Sequence, residues 1–160
     1  MENFEIIVRG LVIRGGKILV CKVEDRDYYF LPGGHVEFGE NMRKALYREF
    51  DEELGVKPKS SKFIGTVENI FLQNGSASTR RDESMRDGKL NHEINFIFET
   101  EITDDFIEPK EDHITFNWLT PFDITEEKFV PPALRDAILK WISDKKPFFI
   151  LTEEEDSLEF

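Results

Sequence analysis

Glu49, Glu52 and Glu53 crowd into the short run REFDEEL, with Arg48 at its head. Carboxylates at that spacing can hold a hard cation or take up a proton. Whether they do depends on the way they face. On a helical wheel started at Met42, the residues Met42, Ala45, Leu46, Phe50 and Leu54 recur at spacings of three and four and form one apolar stripe. Glu49 and Glu53 fall inside that stripe. Glu52 flanks it beside Arg48, while Lys44, Tyr47 and Asp51 take the far side. Most acidic runs are solvated faces, and Asp51 fits that ordinary role. Two buried carboxylates within a turn and a half repel each other and lose hydration, a cost of roughly several kcal/mol that a divalent cation would offset.

The elements around this run are those needed to aim it. Asn41 is the expected N-cap of the helix, and Gly55 followed by Pro58 closes it. Upstream, Pro32-Gly33-Gly34 gives a turn whose glycines admit backbone conformations closed to other residues and let a carbonyl come close to a ligand. Phe4 to Arg14 and Lys17 to Val23 read as antiparallel strands joined at Gly15-Gly16, the first expected to be central because both its faces are apolar. Tyr28 to Leu31 reads as a short aromatic strand. Lys62 to Leu72, His92 to Thr103 and His113 to Leu119 read as further strands. Pro131-Pro132 opens a second helix with Leu134, Ile138, Trp141 and Ile142 on one stripe, expected to cover the sheet face opposite the first helix. Phe148 to Leu151 is expected either to pack as a terminal strand or to extend to a partner.

Gly34, Glu40, Arg48-Glu49, apolar Phe50, Glu52-Glu53, Gly55 and apolar Val56 stand at the spacing of the Nudix box, and the chain resembles the Nudix hydrolase superfamily (MutT-like) with no departure at a defining position. Seven fixed residue types match by chance at a given start on the order of once in 10^8 or more rarely. The resemblance implies an α+β fold, the Nudix α/β/α sandwich, with a mixed twisted sheet between the box helix and a C-terminal helix. It implies a pyrophosphohydrolase that cleaves a nucleoside diphosphate linked to another moiety by water attack on phosphorus. Glu49, Glu52 and Glu53 are then metal ligands for Mg2+, with Mn2+ a substitute, and a carbonyl of Gly33 or Gly34 joins them. Glu93 is the first choice for a further carboxylate and Glu99 the second. Arg48 orients Glu52 or Glu40, Glu40 ties the loop to the helix, and Gly55 ends the box. The water-activating base stays open, with Glu49 ahead of a residue on a distant loop. The rival reading is a non-catalytic Nudix-fold module that binds a nucleotide or regulates. Isomerase chemistry on this fold needs a catalytic cysteine, and Cys21 lies in an ordinary strand.

Outside the box the signals are weaker. Residues 73–91, QNGSASTRRDESMRDGKLN, carry Arg80, Arg81, Arg86 and Lys89 without periodicity, which suits either a solvated loop or a lid that grips phosphate. Arg80, Arg81 and Tyr29, which could stack on a base, are the substrate-binding candidates. Trp118 reads as packing, and His35, His92 and His113 lack metal-ligand spacing.

The 160 residues suffice for one domain, expected over 1–151 with an acidic tail at 152–160. A formal charge of −12 disfavours nucleic acid as a partner and would repel a polyphosphate unless cations neutralise the site. One cysteine suits a reducing cytoplasm, and no apolar run approaches the length of a membrane span. A small-molecule nucleoside diphosphate derivative is the expected partner, and a homodimer is left open.

Overall fold

Apolar side chains leave the sheets in both directions, so the chain needs a helix on each side. The computed structural model describes residues 3–73, 89–103, 107, 110 and 113–153. In order its elements are β1 (Asn3–Leu11), β2 (Ile13–Arg14), β3 (Lys17–Val23), α1 (Met42–Leu54), β4 (Pro58–Gln73), β5 (Lys89–Ile102), β6 (Ile114–Leu119), α2 (Pro121–Glu126), α3 (Pro132–Asp144) and β7 (Phe148–Glu153). One sheet has the order β1-β5-β4-β7 and mixes parallel with antiparallel pairs, and a second has the order β2-β3-β6. Val8, Leu19 and Phe98 pack with Ala45, Leu46, Phe50 and Leu54 of α1. Leu11, Ile18 and Ile97 point the other way and pack with Leu134, Ile138 and Trp141 of α3. This is the expected α/β/α sandwich.

Several expectations need correction in detail. The stretch from Phe4 to Arg14 is two strands, because the chain leaves the first sheet at Val12, whose carbonyl accepts from the Leu19 N–H at 3.0 Å and starts the second. β1 is interior, as its apolar faces require, but only one neighbour is a strand. β5 flanks it on one side, and residues 32–36 run antiparallel on the other through bonds from Val8 to Gly34, Gly10 to Pro32 and Val36 to Ile6. Tyr28 to Leu31 makes isolated bridges, Phe30 with Cys21 and Tyr29 with Phe129. After Leu119 the chain forms the helix α2, held by a capping box in which Thr120 and Asp123 bond each other's backbone. Tyr47, expected on the solvent side of α1, packs against the apolar cluster. Phe148 to Glu153 pairs in parallel with β4 as a terminal strand.

Candidate active site

The geometry of the site starts with the two ends of α1. The Asn41 side chain accepts the Lys44 N–H at 3.0 Å, and Gly55 turns out of the helix with φ 67°. Between these caps the stripe docks on the sheet and carries Glu53 inward, to 8% exposure. There the Gly33 N–H donates to Glu53 Oε2 at 3.1 Å. Gly33 has φ 131°, a conformation that only glycine adopts readily, and a side chain on it would run into the Val8 carbonyl. Its neighbour Gly34 lies directly beneath Glu49, where a methyl group would fall 2.5 Å from the carboxyl carbon. The paired glycines thus let two glutamates close on one turn.

Arg48 gathers the remaining acids. Its guanidinium donates to Glu40 through Nε at 3.1 Å and Nη2 at 3.0 Å. Nη1 donates to Glu49 at 2.6 Å and to Glu52 at 3.1 Å, and Nη2 also reaches the His35 carbonyl at 2.9 Å. The hydrogen bonds to Glu40, then those to Glu49 and Glu52, raise the Arg48 pKa further and keep it charged. In return Arg48 holds the Glu40 carboxyl below its usual range. Glu40 also accepts the Glu37 N–H at 3.2 Å, so the loop before the helix is tied to the helix at this point. Glu52 is the exposed member, with 57% of its side chain accessible. Asp51 faces partly outward and pairs with Lys110 at 3.6 Å.

Behind the turn stands Arg9, a residue that the box pattern does not include. Its Nη1 donates to the carbonyls of Gly33 at 2.7 Å and Leu31 at 3.1 Å, and its guanidinium lies over the Phe30 ring. The Gly34 carbonyl accepts from Val8 at 2.9 Å. Both glycine carbonyls therefore already have one donor, and each keeps a second lone pair. Arg9 was visible in the sequence as a lone cation inside the apolar run EIIVRGLVI.

The two alternative outer carboxylates have different surroundings. Burial pushes the Glu93 pKa up and Glu5 adds to the rise, while Asn95, Arg9 and His35 oppose it, so Glu93 belongs to the neighbourhood of Arg9. Glu99 accepts from Lys145 at 2.9 Å and from Trp141 at 3.5 Å at the end of α3. Cys21 is buried, and burial first, then Glu53, raises its thiol pKa well above the ordinary value, which suits a packing role. Tyr29 is half-buried beneath Lys22, whose ammonium is 5.1 Å from the ring centre. Arg80, Arg81 and Arg86 lie outside the described residues, as does the tail from 154 onward.

The donor set of Glu49, Glu52 and Glu53 is all carboxylate oxygen, the chemistry that hard divalent cations take. Among the described residues no three His, Cys, Asp or Glu side chains are grouped as ligands around one point. Arg48 instead bonds Glu40, Glu49 and Glu52 and offsets part of their charge.

A mixed-sheet sandwich with this turn against the helix is the architecture of the MutT proteins. The MutT protein of Bacillus halodurans superposes with a TM-score of 0.69 at 15% identity, over 91% of this chain and 86% of that one. The chain matches the NUDIX domain over residues 5–141 and belongs to that family. An ADP-ribose pyrophosphatase of Methanocaldococcus jannaschii is 36% identical over 63 residues, 38% of this chain and 37% of the relative. The low-salt glycan biosynthesis protein Agl8 of Haloferax volcanii is 33% identical over 117 residues, 71% of this chain and 69% of the relative. The chain thus spans little more than a third of the first of these relatives.

Proposed function

We propose that the protein is a metal-dependent pyrophosphohydrolase that cleaves a nucleoside diphosphate linked to another moiety, by water attack on phosphorus. Nucleoside triphosphates, ADP-sugars and dinucleoside polyphosphates are the substrate classes of this reading. The observation that carries it is Glu53, buried at 8% exposure, bonded to the Gly33 N–H, with Glu49 packed on Gly34 beside it. Burial of acids at a glycine turn destabilises the fold unless the site uses them.

Glu49, Glu52 and Glu53 would hold Mg2+ or Mn2+, with Glu93 and a carbonyl of Gly33 or Gly34 as further donors. When bound, such a cation neutralises phosphate oxygens and lowers the pKa of a coordinated water. Arg48 keeps three mutually repelling carboxylates in one place before substrate arrives. Glu49 is the first choice as base, Arg80 and Arg81 as phosphate contacts, and Tyr29 as a stacking surface. The setting proposed is cytoplasmic. Among the described residues no helix is long and apolar enough to cross a membrane.

The test is a panel of nucleotide substrates with Mg2+ or Mn2+, read by product analysis for the wild type and Glu53→Gln. Diphosphate cleavage by the wild type, dependent on the cation and lost in the variant, is the expected result. A folded wild type that cleaves nothing in the panel, or a variant of equal activity, would refute the reading.

A further inference from the structure

At the edge of the sheet farthest from β1 and the glycine turn lies β7, which pairs with β4 on one side. Among the described residues no strand covers its outer edge. Edge strands of soluble proteins are ordinarily blunted by proline, by a bulge or by charged side chains along their length. β7 has none of these within Phe148-Phe149-Ile150-Leu151-Thr152, and it follows β4 residue by residue from Gly65 to Ile70. Phe148 and Ile150 turn inward and pack against the core on the α3 side. Phe149 and Leu151 alternate to the other face, beside Thr66 and Glu68, and are exposed at 68% and 51%.

The two ends of this strand carry charge of opposite sign. Lys145 and Lys146 precede it, and Glu153 begins the acidic run that follows Thr152. Lys145 is held by Glu99 at 2.9 Å, so the charge offered at the edge is that of exposed Lys146. A chain of net charge −12 repels a copy of itself over most of its surface. An antiparallel strand of the same sequence reverses that here, because it sets the lysine end of each copy beside the acidic end of the other. A two-fold axis through Ile150, perpendicular to the sheet, gives this arrangement and keeps opposed side chains on one face. It places Phe149 of each copy opposite Leu151 of the other, an apolar centre with charge pairs at both ends. A polyanion would meet the Glu153 end, and a polycation would meet Lys146.

We propose that β7 is a self-association edge, through which two copies of the chain join their sheets into one by antiparallel pairing of their β7 strands. The interface is one strand wide and smaller than that of a permanent dimer, so its dissociation constant is expected on the order of 10 μM or weaker. The glycine turn lies beside β1 at the opposite edge of the sheet, so both copies keep an open site. The proposal therefore stands or falls independently of the hydrolase reading.

Sedimentation equilibrium of the wild type over about 5–500 μM should show a monomer–dimer transition, and amide hydrogen exchange over residues 148–153 should slow as the dimer forms. Leu151→Lys places a charge on the edge at an exposed position, so it should fold and weaken the dimer by about tenfold or more. Lys146→Glu turns two attractive pairs into repulsions and should weaken it by about tenfold, a loss that shrinks at high salt. A wild type that stays monomeric through the whole range overturns the proposal. So does a dimer that leaves exchange over 148–153 unchanged, because another surface then joins the copies. A folded Leu151→Lys that dimerises as well as the wild type overturns it too. If Leu151→Lys does not fold, Lys146→Glu decides: undiminished dimerisation there shows that the strand ends do not meet, and the proposal falls.

Discussion

The two faces of the sheet bury polar groups in opposite ways. On the α1 side the functional side chains hold one another: Arg48 bonds three glutamates and Gly33 bonds a fourth. On the α3 side the Asn95 amide has no closer partner than Glu93, and Nε of Arg9 makes no hydrogen bond. Cleavage of a common diphosphate linkage can be arranged in advance, because its geometry does not change from one substrate to another. The first arrangement is closed within the chain, while the second leaves buried polar atoms without well-formed partners and costs stability.

The sharpest way to break the contrast is Glu53→Gln. It keeps the shape and the bond from Gly33, yet removes the charge, so turnover should fall by roughly 10^2–10^4-fold with the fold intact. Near-native rates in a folded variant would make the α1 face merely structural. Gly34→Ala tests the same face through space: its methyl would meet the Glu49 carboxylate at 2.5 Å, and activity should drop more than stability does. If chemical denaturation instead shows stability and activity failing in step, Gly34 serves the fold rather than the acid. Gly33→Ala should cost about 2 kcal/mol or more, because φ 131° is strained for alanine and the Val8 carbonyl blocks the added carbon. An unchanged urea midpoint would contradict that. The smallest effect belongs to the far end of the α3 face. Partial burial works to raise the Glu99 pKa, but the hydrogen bond and charge of Lys145 outweigh it and lower the value. A lowered folded-state pKa adds stability above the ordinary carboxylate range, and that stability is lost as pH falls through the lowered value. Lys145→Met should therefore cost under about 1 kcal/mol at neutral pH, because both groups are partly exposed. The difference from wild type should vanish once the pH falls below the lowered Glu99 value. A gap of equal size at both ends of the titration would show that Lys145 acts by packing.

The sequence already disclosed the α1 face because helix caps, apolar stripe and misplaced acids are all local. Asn41, Gly55, Glu49 and Glu53 lie within one continuous stretch, and each carries its own signal. The short helix α2 was readable as well, since Thr120-Pro121-Phe122-Asp123 spells a capping box with proline at the first helical position. The apolar stripe of α3 was legible too, but the polar groups beneath it were not. Arg9, Asn69, Asn95 and Thr152 come from four strands, and only their pairing brings them together. Nothing in the local pattern marks Asn95 as orphaned, for that depends on what its neighbours fail to offer.

The way the sheet closes also bears on how the chain reaches this state. Its two parallel pairings set Glu5 beside Glu93 and Gly65 beside Phe148, partners far apart in sequence. Such contacts return no stabilisation until long loops have closed, so the topology predicts slow folding with a high contact order. During synthesis β4 would wait without its outer neighbour until residues 148–153 leave the ribosome. That interval leaves the Gly65–Ile70 edge of β4 without its partner, and an unpaired edge can pair with other chains.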